Sequence, residues 1–516
     1  MAKKFTTPGV FIEEKNAFPN SAVPVPTAVP AFIGYTEKAL RNGESLKNSP
    51  TRLSSFGEFL LYFGGAPHIT FNIAACADST YKLSQPAGRF LLYYSMKFFF
   101  ANGGSDCYVV SVGDFNGGVK KSDFNGEAPV LDARGKPTGE VTALGIRSLL
   151  KEPEPTMLVI PDAVLLDKKE CAEIQQAMLD HCKMMRSRFA ILDVPMPFEN
   201  IQNPATEQLV TVFRENIRTD ALQWGAAYYP YLHTTITGMD ELSFQNIHPA
   251  KNAELVGLLR AAADEAKNNG QINASQAASL AAEVDKIPAN NPATDAAAAN
   301  MLHQALLQVS PLYRAILESM RQAINILPPS GAMAGIYSTV DNTIGVFQAP
   351  ANVGMASVTG PVINLTNAEQ EDLNVPLDGK SVNAIRSFPG KGVLVWGART
   401  MDGNSQDWRY ISVRRTAIFI EQSIKYAIEP YVFAPNTVAT WTNIKALIAN
   451  FLMNIWKSGA LAGATPGEAF SVDVGLGITM TPVDILDGIM RVSVKIAVAR
   501  PAEFIVLSFE QKMEQS

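Results

Sequence analysis

MLVIP (157–161) and RFAILDVP (188–195) are the two runs that decide the fold class of this chain of 516 residues. Each run is a short apolar stretch, which is the pattern of a strand buried on both faces. Between them, residues 167–187 place apolar side chains at helical spacing. A second helical stretch (206–224) leads to the aromatic run AAYYPYL (226–232). Strands that alternate with helices in this way predict a mixed α/β fold, with helices on the faces of a mixed sheet.

Composition excludes several classes of function. The chain is 47% hydrophobic and 18% charged, and its 43 Lys and Arg against 49 Asp and Glu give a formal net charge of −6. A dedicated nucleic-acid-binding protein would carry an excess of positive charge, and a disordered chain would not contain 26 Phe, 14 Tyr and 5 Trp. The composition indicates a large folded protein whose surface carries few charges. A surface with few charges is often one that another molecule covers.

The sequence contains no signal that would direct it across a membrane. Its four cysteines, at positions 76, 107, 171 and 182, are too few and too scattered for a disulfide framework. No apolar stretch follows the two lysines near the start, so no signal peptide is predicted. The best candidate for a membrane span, Phe90–Ala101, contains Lys97 and is shorter than the ~18 residues that cross a bilayer. We expect the protein to be made in the cytoplasm and to remain there unless lysis releases it.

The first 30 residues read as an extended arm. Val10, Phe11 and Ile12 form a strand-like run, and prolines at 19, 24, 26 and 30 disfavour helix. An arm of this kind either pairs with the sheet edge of another chain or is a frayed terminus. After it, the sequence predicts a buried strand over 31–36, a helix over 86–101 and a strand over 107–112.

The second half of the chain begins with a change in composition. Residues 240–325 are alanine-rich and predict helices separated by Asn-Gly and Pro-containing breaks, which we interpret as a helical insertion. GVLVWGART (392–400) and WRYISV (408–413) flank Asp402-Gly403 and predict a hairpin. The remaining predicted elements are helices over 415–428 and 437–457 and strands over 490–499 and 503–511.

No motif in the sequence indicates catalysis. Gly379-Lys380-Ser381 has the tail of a phosphate-binding loop, but no apolar strand or glycine-rich turn precedes it. GAMAG (331–335) could be a phosphate loop but lacks the lysine, and we interpret it as a site of close packing. Ser105 misses the second glycine of a nucleophile elbow, and the five histidines are dispersed without metal-ligand spacing. We therefore predict neither a metal nor a cofactor, and no enzyme activity.

Several segments, taken in order, resemble one protein family. They are TTPGVFIEE (6–14), VPTAVPAFIGYTEKA (25–39), FFFANGGSDCYVVSV (98–112), RFAILDVP (188–195), PPSGAMAGIYSTVDNTIGVFQAPAN (328–352), VNAIRSFPGKGVLVWGART (382–400), WRYISVRRTAIFIEQSI (408–424), FAPNTVATW (433–441), FLMNIWKSGALAG (451–463) and RPAEFIVL (500–507). Together they resemble the contractile tail sheath proteins of phage tails and phage-tail-like particles. Ala434 departs from the pattern, because the family often has an acidic residue there, which puts any contact of that charge in doubt.

The resemblance implies a discontinuous sheath core that assembles with copies of itself. Subunits of this family form stacked six-membered rings around an inner tube, and exchanged terminal strands join neighbouring subunits. The residues expected to take part in this exchange are Val10, Phe11, Ile12, Phe504, Ile505, Val506, Leu507 and Phe509. The assembled sheath is metastable and shortens without nucleotide to drive the tube through a target envelope.

The resemblance also implies further partners. A helix of the C-terminal domain faces the tube in this family, and Lys425, Lys445 and Lys457 are the expected contacts; the alternative is that they are solvated helix charges. Baseplate and terminal cap proteins complete the list of partners, and neither nucleic acid nor membrane insertion is expected. The sequence leaves open whether the particle is a phage, a bacteriocin or an injection system, although we favour an injection system.

The predicted organisation follows from these segments. The order is an N-terminal arm (1–30), the first part of the sheath core (31–112), a loop or small excursion (113–148), an α/β middle domain (149–239), the helical insertion on the outer surface (240–325), the return of the α/β middle domain (326–400) and a C-terminal sheath domain (401–516). The competing hypothesis is an α/β hydrolase-like enzyme, because the middle region alternates strands and helices. A further alternative is another self-assembling shell protein.

Overall fold

The computed structural model describes residues 22–76, 80–84, 88–125, 144–198 and 206–507. These residues form two compact units. Pro26–Arg415 is one, which we call the sheet unit. The other, which we call the ribbon unit, combines residues from both sides of it, of which 22–25 and 416–507 are described. The chain therefore passes from one unit to the other twice.

The core of the sheet unit is an eight-stranded mixed sheet, which confirms the predicted fold class. Its six inner strands run parallel to one another, and the strand at each edge is antiparallel to its neighbour. In spatial order the strands are Gly392–Trp396, Val382–Phe388, Gly225–Tyr229, Phe189–Asp193, Met157–Val159, Pro30–Tyr35, Cys107–Gly113 and Thr51–Leu53.

The inner strands are buried on both faces, as the apolar runs predicted. Every residue of Pro30–Tyr35, Met157–Val159 and Phe189–Asp193 is buried. A parallel sheet needs helices on both faces to bury such strands. Outside the alanine-rich segment, the α-helices that lie wholly within this unit are Phe56–Phe63, Leu92–Ala101, Lys121–Asn125, Lys168–Met185, Thr206–Asn216, Ser330–Thr343 and Asn367–Asn374.

Two of these helices touch at glycines, which settles the role of GAMAG. The motif lies in the first turns of helix Ser330–Thr343. A Cβ atom on Gly331 would lie 2.7 Å from the carbonyl oxygen of Ser95, and one on Gly335 would lie 2.6 Å from that of Phe99. The backbones of helices Leu92–Ala101 and Ser330–Thr343 therefore approach as closely as only glycine allows. The close-packing interpretation is confirmed.

The alanine-rich segment is helical, as predicted, and the structure divides it more finely. Its helices are Asn252–Asn268, Ala274–Val284, Ala296–Val309 and Pro311–Ile324. The last two helices follow each other directly along the chain. They are separate because Ser310 ends one helix and caps the other, with its hydroxyl accepting from the Tyr313 amide at 3.2 Å, and Pro311 follows at the first helical position.

A buried arginine joins the end of this segment to the rest of the sheet unit. The Arg89 Nη2 atom donates to the carbonyl oxygens of Ala323, Ile324 and Ile326 at 3.2, 2.9 and 3.0 Å. These carbonyls lie at the end of helix Pro311–Ile324, where the helix dipole favours a cation. A small three-stranded sheet follows, in the order Ile326–Leu327, Leu232–Thr234 and Val358–Pro361.

The hairpin predicted around Asp402-Gly403 is present only as one antiparallel bridge, between Arg399 and Tyr410, closed by the Thr400 amide on the Arg409 carbonyl at 2.8 Å and the Ile411 amide on the Ala398 carbonyl at 3.0 Å. The strand Gly392–Trp396 pairs instead with Val382–Phe388, and Gly390 in the intervening turn adopts φ +73°. WRYISV does not form a strand, because helix Ile411–Ile428 begins within it. Its alternating apolar residues fit a strand, but Ile411, Ser412 and Val413 are all buried in the first turn of the helix.

Other predictions also differ from the structure. Helix Leu92–Ala101 begins six residues later than predicted. The predicted strand 226–232 is divided into Gly225–Tyr229 and Leu232–Thr234, which belong to different sheets, and the described part of the predicted strand 503–511 is not a strand. Two short hairpins, Leu40–Arg41 with Glu44–Ser45 and Asn72–Ala75 with Tyr81–Ser84, complete the strands of the sheet unit. In the ribbon unit, helices Val438–Lys457, Pro466–Ala469 and Pro482–Leu486 accompany strands Phe470–Val474 and Val492–Ile496. Within the described ranges, no helix is both long enough and apolar enough to cross a membrane.

Candidate assembly interface

The ribbon unit contains a sheet of only two strands, which we call the ribbon. Phe470–Val474 and Val492–Ile496 pair antiparallel, with Phe470 opposite Ile496 and Val474 opposite Val492. Among the described residues, neither strand of this sheet pairs with a third one. A two-stranded sheet is marginally stable by itself, and its outer edges present main-chain groups that can accept another strand.

One face of the ribbon packs against helix Val438–Lys457. The shared core holds Ile444, Ile448, Phe451 and Leu452 from the helix and Val472 from the ribbon. The helix buries one broad apolar face because these side chains recur at three- and four-residue spacing. This anchoring fixes the position of the ribbon within the unit.

The second strand of the ribbon is the less covered one. Val492, Val494 and Ile496 pack against the core but stay only partly buried. All three point to the same side of the strand, because side chains alternate along it. A strand or helix of another chain placed beside them would bury more apolar surface.

The chain segments that lead to both termini belong to this unit. Ala22, the first described residue, is 6% exposed and belongs to the same ribbon-unit core as Ile444 and Phe451. At the other end, Phe504, Ile505, Val506 and Leu507 are exposed by 70%, 78%, 86% and 73%. This run forms no strand within the described chain. Consecutive large apolar side chains with that exposure indicate a segment that another molecule covers.

The remaining predicted exchange residues cannot be placed. Val10, Phe11, Ile12 and Phe509 lie outside the described residues. The structure of the single chain therefore brings together the ribbon, the start of the described chain and the run 504–507 in one unit. Exchange between chains stays a prediction.

The three predicted tube-facing lysines are all exposed but lie at separate places. Lys425 lies on helix Ile411–Ile428, whereas Lys445 and Lys457 lie on helix Val438–Lys457. Lys457 is the last residue of its helix, where a positive charge also stabilises the helix dipole. None of them forms an ion pair with a described residue. Their role in binding a tube stays a prediction.

Two buried carboxylates lie where an α/β enzyme would place its catalytic groups, just after parallel strands. Asp162 accepts from the amides of Tyr35 and Leu91 at 3.0 and 2.5 Å, and Asp193 accepts from the amide of Ser330 at 2.8 Å. Burial raises the pKa of Asp162 to about 6 and that of Asp193 to about 7. Both carboxylates hold the start of a helix, which is a structural role.

Other buried groups that could in principle take part in chemistry are also held in packing. Cys171 and Cys182 are buried, and burial raises the pKa of both thiols, that of Cys182 to about 12. His181 contacts the Arg188 guanidinium at 2.6 Å, and burial, together with that charge, lowers its pKa to about 3. No set of three or more His, Cys, Asp or Glu in the described part of the chain could hold a metal ion.

Comparison with protein families gives a match to the C-terminal part of the chain. A family model described as the phage tail sheath C-terminal domain matches residues 404–512. A curated relative, the tail sheath protein of Burkholderia phage BcepMu, is 26% identical over 153 residues. That alignment covers 29% of this chain and 32% of the relative, so the chain is matched to about a third of that protein.

Comparison with solved structures covers nearly the whole chain. The anti-feeding prophage (AFP) helical sheath in its contracted state is 26% identical with a TM-score of 0.58, and the alignment covers 98% of this chain and all of that one. The sheath complex of the extracellular contractile injection system PVC, also contracted, is 24% identical with a TM-score of 0.58 and 99% coverage of both chains. The fold described above is therefore that of contractile sheath subunits.

Proposed function

We propose that this chain, a homologue of the contractile tail sheath proteins, is a structural subunit that polymerises around an inner tube and contracts to drive the tube through a cell envelope. The observation that carries the proposal is the 26% identity to the AFP sheath over 98% of the chain. The buried carboxylates and thiols support a structural role, because each is engaged in packing. No observation supports the hydrolase alternative.

Neighbouring subunits are joined through the ribbon. The run 504–507 of one subunit and the arm residues Val10, Phe11 and Ile12 of another extend the ribbon at its free edges. Each added strand gains main-chain hydrogen bonds in a fixed register. Burying one Phe, Ile, Val or Leu side chain contributes about 1.5–3 kcal/mol, so the run 504–507 alone supplies a substantial driving force for joining.

We infer that the arm reaches another subunit. A segment of 21 residues, the number before Ala22 in this sequence, spans at most roughly 70 Å when fully extended. Subunits linked in this way stay connected while their sheet units reorient.

The inner tube, baseplate and terminal cap proteins are the remaining partners that we propose. Lys425, Lys445 and Lys457 would bind acidic groups of the tube through weak, exposed contacts that release during contraction. We infer that the particle is an injection system rather than a phage tail, a choice supported by the full-length likeness to the AFP sheath.

The experiment that tests this function is electron microscopy of the full-length protein. We expect negatively stained preparations to show hollow tubes of stacked rings. Deletion of residues 1–20 is expected to abolish long polymers while the subunit keeps its circular dichroism spectrum. A folded monomer that forms no polymer, with or without the inner tube protein, would contradict the proposal.

A paired substitution tests the strand-exchange part separately. Ile505→Glu places a charge in the exposed run and is expected to reduce polymer length at least tenfold. Leu377→Glu is the control, because Leu377 is fully exposed in a turn of the sheet unit. Equal loss of polymer in both variants would show that any exposed apolar residue matters and that the run 504–507 has no special role.

A further inference from the structure

The two places where the chain passes between the units lie beside one buried side chain. The passages are at Val25–Pro26 and at Arg415–Thr416. Arg415 is the last residue of the sheet unit, and Thr27 is the second. Thr27 and Arg415 are separated by nearly the whole length of the unit in sequence, yet they are joined by a hydrogen bond.

The Arg415 guanidinium makes three hydrogen bonds within the sheet unit. Nη1 donates to Oδ1 of Asp341 at 2.9 Å, and Nη2 donates to Oδ2 of Asp341 at 2.6 Å. Nη2 also donates to the main-chain carbonyl oxygen of Thr27 at 2.9 Å. A planar guanidinium can hold a carboxylate with two parallel bonds and still reach a carbonyl, which an ammonium group cannot do.

The pair is buried, so its geometry is fixed. The side chain of Arg415 is 4% exposed and that of Asp341 is 1% exposed. The guanidinium carbon lies 4.6 Å from the centre of the Tyr337 ring, on the same helix Ser330–Thr343 as Asp341. On that helix, the Ser338 hydroxyl lies 3.5 Å from the carbonyl oxygen of Ala28. Both ends of the sheet unit are therefore fastened to one helix.

The residue before Arg415 reinforces this arrangement. The Arg414 guanidinium carbon lies 3.7 Å from the centre of the Trp224 ring and 4.5 Å from that of Trp408. Stacking of a guanidinium between two indole rings is a favourable cation–π arrangement, stronger when water is excluded. Two consecutive arginines thus hold the first turn of helix Ile411–Ile428 to the sheet unit.

The ribbon unit also holds its side of the first passage, at Val25. The Val25 amide donates to the Ser423 hydroxyl at 3.2 Å, so the incoming chain is bonded to helix Ile411–Ile428 within the ribbon unit. Three residues earlier, Ala22 is buried in the ribbon-unit core.

We propose that Arg415 is a clamp that fastens both chain passages to helix Ser330–Thr343, so that load reaching the ribbon unit enters the sheet unit at one rigid point. The mechanical role of the clamp rests on the proposed sheath function, whereas the coupling of the two passages does not. In the absence of the clamp, each passage would open independently. Load on the ribbon unit would then unfold the passages locally.

The test is amide hydrogen exchange on the full-length protein with two matched variants. Arg415→Lys keeps the charge but replaces the two terminal nitrogens of the guanidinium by one, so it cannot form the two parallel bonds to the Asp341 carboxylate. Arg214→Lys is the control, because Arg214 also pairs with a carboxylate, Asp372, at 2.7 Å, and donates to the Lys380 carbonyl at 2.9 Å, away from both passages.

The clamp predicts faster exchange in two segments that are distant in sequence. In Arg415→Lys, the amides of residues 27–29 and 416–420 are expected to exchange about tenfold faster or more, and by similar factors. In Arg214→Lys, faster exchange is expected only near 372–380. Unchanged exchange at 27–29 in Arg415→Lys would overturn the proposal, as would an equal effect of Arg214→Lys on both passages.

A second variant covers the case in which Arg415→Lys fails to fold. The double variant Arg415→Met with Asp341→Leu removes the pair without leaving a buried charge unpaired, and the same coupled increase in exchange is expected. Failure of the proposed sheath function can be distinguished from failure of the clamp. A wild-type chain that forms no polymer would contradict the sheath function, whereas the exchange experiment tests the coupling of the two passages independently of polymerisation.

Discussion

The sheet unit and the ribbon unit contrast in how completely each buries its own strands. The main sheet of the sheet unit has eight strands, six of them parallel, and is covered with helices. The described part of the ribbon unit has two strands, partly exposed apolar side chains on one of them and an exposed apolar run at 504–507. The first unit is complete within one chain, whereas the second has the features of a sheet that other chains complete.

The largest expected difference between the units comes from removing one phenylalanine from each. Phe32 is fully buried in a central strand, whereas Phe504 is 70% exposed. Phe32→Ala is expected to lower the free energy of unfolding by about 3–5 kcal/mol. Phe504→Ala is expected to change it by less than about 0.5 kcal/mol but to shorten the polymers. Denaturant unfolding and electron microscopy of both variants measure the two effects.

A smaller loss is expected where the two helices of the sheet unit meet. A Cβ at position 335 would lie 2.6 Å from the Phe99 carbonyl oxygen, so Gly335→Val must push the helices apart, at a cost of about 3 kcal/mol. Gly257→Ala is the control, since nothing lies within 4 Å of a Cβ there, and it is expected to stabilise by about 0.5–1 kcal/mol. Thermal unfolding checks both, and equal effects would contradict the close contact.

The pH dependence of stability separates the units further, because the acids with strongly raised pKa lie in the sheet unit. Burial raises the pKa of Asp193 from 3.8 to about 7. The folded state therefore binds this proton more tightly than the unfolded state does. The stabilisation is complete below about pH 4 and is lost as the pH rises to about 7, by at most about 4 kcal/mol.

Asp193→Asn is expected to flatten the decline in stability between pH 4 and pH 7 in denaturant titrations. Asp162, whose pKa burial raises to about 6, would account for the part that remains. Asp220→Asn provides a control of opposite sign, because the ion pair with Lys183 lowers the pKa of the exposed Asp220 carboxyl. The same slope in wild type and Asp193→Asn would show that Asp193 is ionised throughout.

The smallest expected effect on folding comes from the exposed lysines of the ribbon unit. Lys445→Ala and Lys457→Ala should each change the free energy of unfolding by less than about 0.5 kcal/mol. If Lys445 binds the tube, its removal should weaken salt-sensitive co-sedimentation of sheath with tube protein. Lys457→Ala is the informative comparison, because the positive charge of Lys457 also stabilises the dipole at the end of its helix. No change in co-sedimentation for either variant would assign both lysines to solvent.

Sequence patterns predicted the elements whose pattern and environment agree. Strand Pro30–Tyr35 and helix Val438–Lys457 lie where they were expected, because a buried run and an apolar stripe each have one structural solution. The strand prediction for WRYISV (408–413) failed because its apolar residues also suit a helix turn that is buried on all sides. The stacking of Arg414 between Trp224 and Trp408 holds that turn, and no local pattern reports such distant partners.

The candidate interface was less predictable for a related reason. The run 503–511 has the pattern of a strand, yet residues 504–507 form none within the described chain. A strand pattern states what a segment can pair with, not whether the partner lies in the same molecule. Arg415 and Asp341 carried no motif either, because their pairing depends on two segments that only the fold brings together.

The division of the chain has a consequence for synthesis on the ribosome. Ala22 is among the first described residues to be translated, but its neighbours Ile444 and Phe451 are made more than 400 residues later. The sheet unit can fold while translation continues, whereas the ribbon unit cannot form before residues 416 and beyond have been made. The surface proposed to join subunits therefore does not exist on a nascent chain until those residues have left the ribosome.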